Sequence, residues 1–140
     1  MELDIKFDCI GVDWQGVAET LKRVGMAYYE SDIHRRAFEA SHTIVFVYHG
    51  GQLIGFGRAI SDGVCQAAVY DLAIVPEFQG KGIGRIIMTH IFSQLSHCNV
   101  ILYASIGKEG FYRTVGMRKM KTGMARFKNA AAMSEKGFTE

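Results

Sequence analysis

Residues 79–84 read Gln79-Gly80-Lys81-Gly82-Ile83-Gly84 and are followed directly by Arg85. Three glycines in six residues, between an apolar run and a helical pattern, can build an anion site. Backbone N–H groups converge there, the helix N-terminus adds partial positive charge, and missing side chains allow close approach. Lys81 and Arg85 add full charges. A plain strand-to-helix turn has the same composition, so the spacing must discriminate. The nucleotide loop Gly-x-x-x-x-Gly-Lys-Ser/Thr is absent, and the dinucleotide pattern Gly-x-Gly-x-x-Gly fails because its third place is Arg85. What stands is Gln-x-x-Gly-x-Gly, carried by Gln79, Gly82 and Gly84. The run before the loop, residues 66–75, is apolar but for Gln66, Tyr70 and one acid, Asp71. A lone acid in such a strand is either a general base or a carboxylate paired with backbone or an arginine, and both readings stand. Strand alternation turns Asp71 away from the face of Tyr70 and Leu72 unless a bulge re-aims it.

The elements that must position this loop are readable from hydrophobic period. Residues 3–9 alternate as Leu3, Ile5, Phe7 and Cys9, which predicts a half-buried strand. Asp13 is placed as an N-cap, with Val17, Leu21 and Val24 at helical spacing behind it. A second, shorter helix follows over about residues 32–40. Residues 42–48 and 53–60 form a hairpin across His49-Gly50-Gly51-Gln52. Residues 66–75, apolar on both faces, belong at the centre of the sheet and end at Pro76, the only proline. Ile83, Ile86, Ile87, Ile91, Phe92 and Leu95 then trace one helix face. A short buried strand at 100–104, a helix at 107–115 closed by Gly116, and a last strand at 118–127 complete the order β-α-α-β-β-β-α-β-α-β. The class is mixed α/β, with hairpins making the sheet mostly antiparallel and one right-handed crossover making a parallel pair.

The 140 residues, 49% hydrophobic and 21% charged, suit one globular domain, expected over residues 1–127 with a tail at 128–140. A net charge of +2 and the absence of long basic runs argue against a nucleic-acid partner. No apolar stretch approaches the roughly 20 residues of a membrane span, and no leader pattern opens the chain. Three widely spaced cysteines form neither a zinc ribbon nor a disulfide framework, which points to a reduced, cytoplasmic setting. The five histidines lack metal spacing, so no metal is expected, and each reads as a surface or capping residue.

Two segments carry a family resemblance. Leu72-Ala73-Ile74-Val75-Pro76 followed by Gln79-x-x-Gly82-x-Gly84 resembles the strand end and pyrophosphate loop of the GNAT superfamily of acetyl-CoA-dependent N-acetyltransferases. Downstream, Phe111-Tyr112-Arg113-Thr114-Val115-Gly116-Met117 resembles the superfamily's Phe-Tyr-x-x-x-Gly-Phe segment, with Met in the last place. The resemblance implies a GNAT-like sheet of six to seven strands with helices on both faces and a splayed central parallel pair, residues 69–75 and 100–104. It implies acetyl-CoA as co-substrate. Pantetheine would pair with free backbone groups of Leu72 and Ile74, and the N–H of Ala73 or a neighbour would hold the acetyl carbonyl. Pyrophosphate would rest on Gln79, Gly80, Lys81, Gly82, Ile83 and Gly84, beside Arg85. Tyr112 matches the general acid that protonates the departing thiolate, although a core tyrosine is the plainer reading of the same residue. Relatives often carry a glutamate where this chain has Ala68 or Tyr70, which leaves Asp71 as the one candidate base on the strand.

The region between the first two helices is where the superfamily places the acceptor. Tyr28, Tyr29 and Glu30 are the candidate acceptor contacts there, and Tyr70 is expected to line the site. The implied reaction is acetyl transfer to the primary amine of a small molecule. Protein acetylation at a lysine or N-terminus, or a non-catalytic acyl-CoA-binding module, are the alternatives, and homodimerisation is left open.

Overall fold

The computed structural model describes all 140 residues and divides them into two compact units, Met1–Leu102 and Tyr103–Glu140. The first unit holds one five-stranded sheet. Its strands are β1 (Asp4–Lys6), β2 (Thr43–His49), β3 (Gln52–Ser61), β4 (Gln66–Ile74) and β5 (Asn99–Ile101), in that spatial order. β1 to β4 run antiparallel, and β5 pairs parallel to β4. Helices α1 (Trp14–Arg23) and α2 (Ser31–Glu39) precede β2, and α3 (Ile83–Gln94) makes the crossover from β4 to β5.

Asp13 caps α1 as expected, its carboxylate accepting the Gly16 N–H at 3.0 Å. The helical period then buries Val17 and Leu21 completely. They meet Phe38 from α2 and a cross-strand row of Phe46, Phe56 and Ala73. Phe38 is the hub: its ring centroid lies 5.3 Å from that of Phe46 and 5.9 Å from that of Phe56. Truncating such a fully buried aromatic costs roughly 3–5 kcal/mol, so Phe38→Ala would unseat α2 first.

The other sheet face belongs to α3, through Ile83, Ile87, Met88, Ile91 and Leu95, all essentially inaccessible. Here the strand carries glycines where side chains would normally stand. A Cβ on Gly55 would sit 2.8 Å from Ile74 Cδ1, 3.2 Å from Ile83 Cγ2 and 3.3 Å from Ile87 Cδ1. One on Gly57 would sit 3.1 Å from Ile87 Cγ2. The two glycines let α3 approach the sheet backbone closely.

The second unit contains α4 (Glu109–Thr114) and α5 (Ala130–Glu135). Gly116, at φ +94°, ends α4 in the left-handed conformation, and the Met117 N–H closes on Tyr112 O at 3.0 Å. Tyr103 packs edge-on against Phe127 and Phe138. The strand expected at 118–127 does not form: the segment is irregular, and Met120 and Met124 stand exposed. Its alternation is loose, with Arg118, Lys119, Lys121 and Arg126 around Gly123, so it offers no continuous apolar face to a ladder. The sheet therefore has five strands rather than six or seven.

Candidate active site

β5 pairs only with the first three residues of β4: Gln66 with Asn99, Ala67 with Val100 and Ala68 with Ile101. From residue 69 to 74 that edge of β4 is without a strand neighbour in the sheet. This is a fork, closed at the β4 N-terminus and open toward the glycine loop. Val75 donates its N–H to Ile54 O at 2.8 Å, which makes Gly55 and Ile74 a wide, unbonded pair. Ladder alternation then points the backbone groups of Ile74 into the fork and those of Ala73 toward Phe56. The expected donor Ala73 is thus committed to β3 and buried against the α1–α2 core. The same alternation, counted back from Ala73, turns the N–H of Leu72 outward.

A bulge sits in the middle of the open edge. Phe56 pairs with Ala73 and Arg58 with Tyr70, so Asp71 and Leu72 together oppose the single residue Gly57. Asp71 takes φ +58°, the only positive φ in the chain outside glycine. The bulge overturns simple alternation: Asp71 shares a face with Tyr70, and Leu72 lies on the opposite face, against α3. Arg58 joins the pair. Its Nε donates to Asp71 Oδ2 at 2.7 Å, its guanidinium lies 5.4 Å from the Tyr70 ring centroid, and its Nη1 reaches Ser41 Oγ at 3.3 Å. Both charged side chains are largely buried, at 15% and 20% exposure, which shields the pair from solvent. Asp71 is thus held in an ion pair with Arg58.

Past the fork, Pro76 opens a single 3-10 turn, Pro76–Phe78. The Gln79 side-chain amide folds back and donates to Ile74 O at 3.1 Å, tying the loop to the end of β4. Gly80 (φ +75°) and Gly82 (φ +82°) are left-handed, a conformation that β-carbon-bearing residues rarely adopt. A Cβ on either would meet no protein atom within 4 Å, so the side that glycine leaves bare is open. Gly82 is the N-cap of α3 and supplies no side-chain acceptor to the helix's first N–H groups. Lys81 and Arg85 stand exposed beside it. A loop with bare glycines, an uncapped helix start and two cations fits a diphosphate, and the β4 edge that β5 leaves uncovered fits the amide-bearing arm of coenzyme A.

The α1–α2 connection presents Tyr28 and Tyr29 at 50% and 58% exposure. Lys22 Nζ lies 5.6 Å from the Tyr28 ring centroid. Glu30 stands at the start of α2 without capping it, and Asp32 is engaged with Arg35. His34, expected as a surface or capping residue, is only 3% exposed. Its Nε2 accepts the Tyr29 N–H at 2.9 Å, which fixes the ring as the neutral tautomer protonated on Nδ1. Burial holds its imidazole below the ordinary histidine value; the nearby Asp71 carboxylate opposes that shift and the Arg58 guanidinium adds to it. Sequence pattern passes over Arg58 and reads His34 as a surface or capping residue. For His34 a signal existed, since it lies four residues before Phe38 on one helical face.

Tyr112 lies in the second unit, on α4, its ring edge-on to Phe111 at 5.0 Å. Burial pushes its phenol above the usual tyrosine value, so the hydroxyl keeps its proton well past neutrality.

The profile of the GNAT acetyltransferase domain matches residues 14–130, and the chain belongs to that family. It is 34% identical over 113 residues to serotonin N-acetyltransferase 2, chloroplastic, of Oryza sativa subsp. japonica, covering 76% of this chain and 56% of that protein. It is 31% identical over 119 residues to the uncharacterized N-acetyltransferase ycf52 of Porphyra purpurea, covering 83% of this chain and 64% of that one. The chain thus spans about three-fifths of the length of these relatives. Among solved structures, a probable acetyltransferase of unknown function from meticillin-resistant Staphylococcus aureus superposes with a TM-score of 0.81 at 22% identity, covering 91% of this chain and 99% of that one. At that identity the likeness speaks for the fold.

Proposed function

We propose that this chain transfers an acetyl group from acetyl-CoA to the primary amine of a small molecule by direct attack. The observation that carries the reading is the open edge of β4 at 69–74, running straight into the left-handed glycine loop and the uncapped start of α3. The co-substrate supplies an activated thioester when bound. Leu72 and the N–H of Ile74 offer outward backbone groups to its pantetheine arm, the Ile74 C=O taking the Gln79 amide, and the Leu72 N–H stabilises charge on the acetyl oxygen. Residues 79–84 hold its diphosphate through backbone N–H groups, with Lys81 and Arg85 adding charge. Tyr112 is the general acid: its raised phenol remains protonated and can donate to a departing thiolate. Tyr28, Tyr29, Glu30 and Tyr70 contact the acceptor. The exposed tyrosine rings favour an arylalkylamine among small amines, in keeping with the name of the Oryza sativa relative.

Calorimetric titration with acetyl-CoA, desulfo-CoA and ATP tests the donor site, and thiol release over an amine panel tests the acceptor. Saturable binding of both CoA compounds but not ATP, with amine-dependent release, is the expected result. Failure to bind acetyl-CoA overturns the reading.

A further inference from the structure

We propose that Arg58 is a positioning residue for acetyl transfer: it holds Asp71 in the left-handed conformation and so fixes the bulge immediately before Leu72, keeping the Leu72 N–H steady on the fork side. The inference rests on the proposed acetyltransferase reading and deepens it. The bulge is a strained feature, because a residue with a Cβ at φ +58° is disfavoured unless its surroundings enforce it. Arg58 is the enforcing partner. It lies on β3 beside the bulge, two residues from Phe56, and its guanidinium bonds Asp71 through Nε. The same guanidinium is itself fixed on three sides, by Ser41 Oγ after α2, by the Phe38 ring at 5.8 Å and by the Tyr70 ring at 5.4 Å. The carboxylate therefore meets an immobilised fork rather than a mobile surface cation, which is what backbone strain needs in order to persist. Asp71 and Arg58 both act electrostatically on His34, whose ring takes the Tyr29 N–H. One arginine thus joins the strand that handles the donor to the connection expected to handle the acceptor.

The test separates positioning from base catalysis. In Arg58→Met the aliphatic volume stays while the ion pair is lost and Asp71 is stranded. Turnover should fall by about tenfold to a hundredfold, the scale of a misplaced oxyanion donor, while acetyl-CoA affinity stays within about twofold. In Arg58→Met/Asp71→Gly the bulge residue can adopt a positive φ without a Cβ and no carboxylate is stranded. This variant should recover most of the lost turnover. Hydrogen–deuterium exchange over residues 70–74 is the activity-independent readout. It should quicken by about tenfold in Arg58→Met and slow again in the double variant. Unchanged turnover and exchange in Arg58→Met overturn the proposal. So does a double variant as inactive as Asp71→Gly, with both losing the acidic limb of the pH–rate profile, since Asp71 would then be acting as base. A wild-type protein that turns over no amine would sink the proposed activity alone, and the exchange rates would still decide the role of Arg58.

Discussion

Replacing Gly55 with alanine should push the N-terminal end of α3 away from the sheet. The new Cβ would stand 2.8 Å from Ile74 Cδ1, 3.2 Å from Ile83 Cγ2 and 3.3 Å from Ile87 Cδ1. Unstrained carbon contacts lie at about 3.5–4.0 Å, so each of these is short by a few tenths of an ångström or more. Ile74 Cδ1 is the tip of a side chain and can rotate. Ile83 Cγ2 is bonded to the Cβ of the first residue of α3, where a β-branched side chain has one strongly preferred rotamer, so it yields mainly with the helix. Overpacking of this kind costs about 1–3 kcal/mol, offset by roughly 0.4–1 kcal/mol from a less flexible unfolded chain. A net loss of about 1–2 kcal/mol follows, or roughly 3–6 °C in Tm for a chain of this size. Because the displaced residue opens the helix whose N–H groups would hold the diphosphate, acetyl-CoA affinity should also drop, by about fivefold if charge-assisted hydrogen bonds lengthen there. Gly50→Ala is the control: it has φ +56° and open space around the new Cβ, so it carries only backbone strain of roughly 1 kcal/mol. Thermal unfolding and acetyl-CoA calorimetry on both variants decide the matter. If Gly55→Ala loses no more stability than Gly50→Ala and binds acetyl-CoA like the wild type, glycine does not set the helix-to-sheet distance.

Tyr112→Phe should lower kcat by about a hundredfold while leaving the Kd for acetyl-CoA nearly unchanged; equal loss of both would make the tyrosine structural. Gly82→Val should abolish acetyl-CoA binding, through the β-branched cost of φ +82° and a side chain placed on the bare side of the loop; calorimetry with full retained affinity would refute the loop assignment. His34 predicts a pH effect on stability. Its folded-state value is lowered, so its contribution is complete above the unfolded value near ~6.5 and is lost as pH falls through the folded value. Tm should therefore decline below about pH 6.5, and this part of the decline should vanish in His34→Gln, whose amide oxygen can still accept the Tyr29 N–H. An identical pH profile in the variant would count against the buried neutral imidazole.

The glycine loop, the α3 stripe from Ile83 to Leu95, the Asp13 cap and the α4 stop at Gly116 were all legible in the linear sequence. Each depends on neighbours within a few residues: a helical period, a side chain reaching three residues ahead, or a glycine free to take positive φ. That residues 66–75 form a strand was equally legible, but its place was not: β3 is the middle strand, and β4 lies next to the edge with only Gln66–Ala68 covered by β5. What tertiary structure decided depends on residues brought from elsewhere. Alternation alone puts Asp71 on the face opposite Tyr70, and only the register of β3 against β4 inserts the extra residue that puts the two together. Arg58 reads as an ordinary strand cation until the fold sets it between Asp71, Ser41, Phe38 and Tyr70. His34 reads as a surface or capping residue until α2 docks and removes it from water. The 118–127 segment has strand-like residues, yet without a continuous apolar face it gains nothing from a ladder and stays irregular. Local backbone chemistry is written in the chain, whereas bulge register and charge pairing are settled only where two distant segments meet.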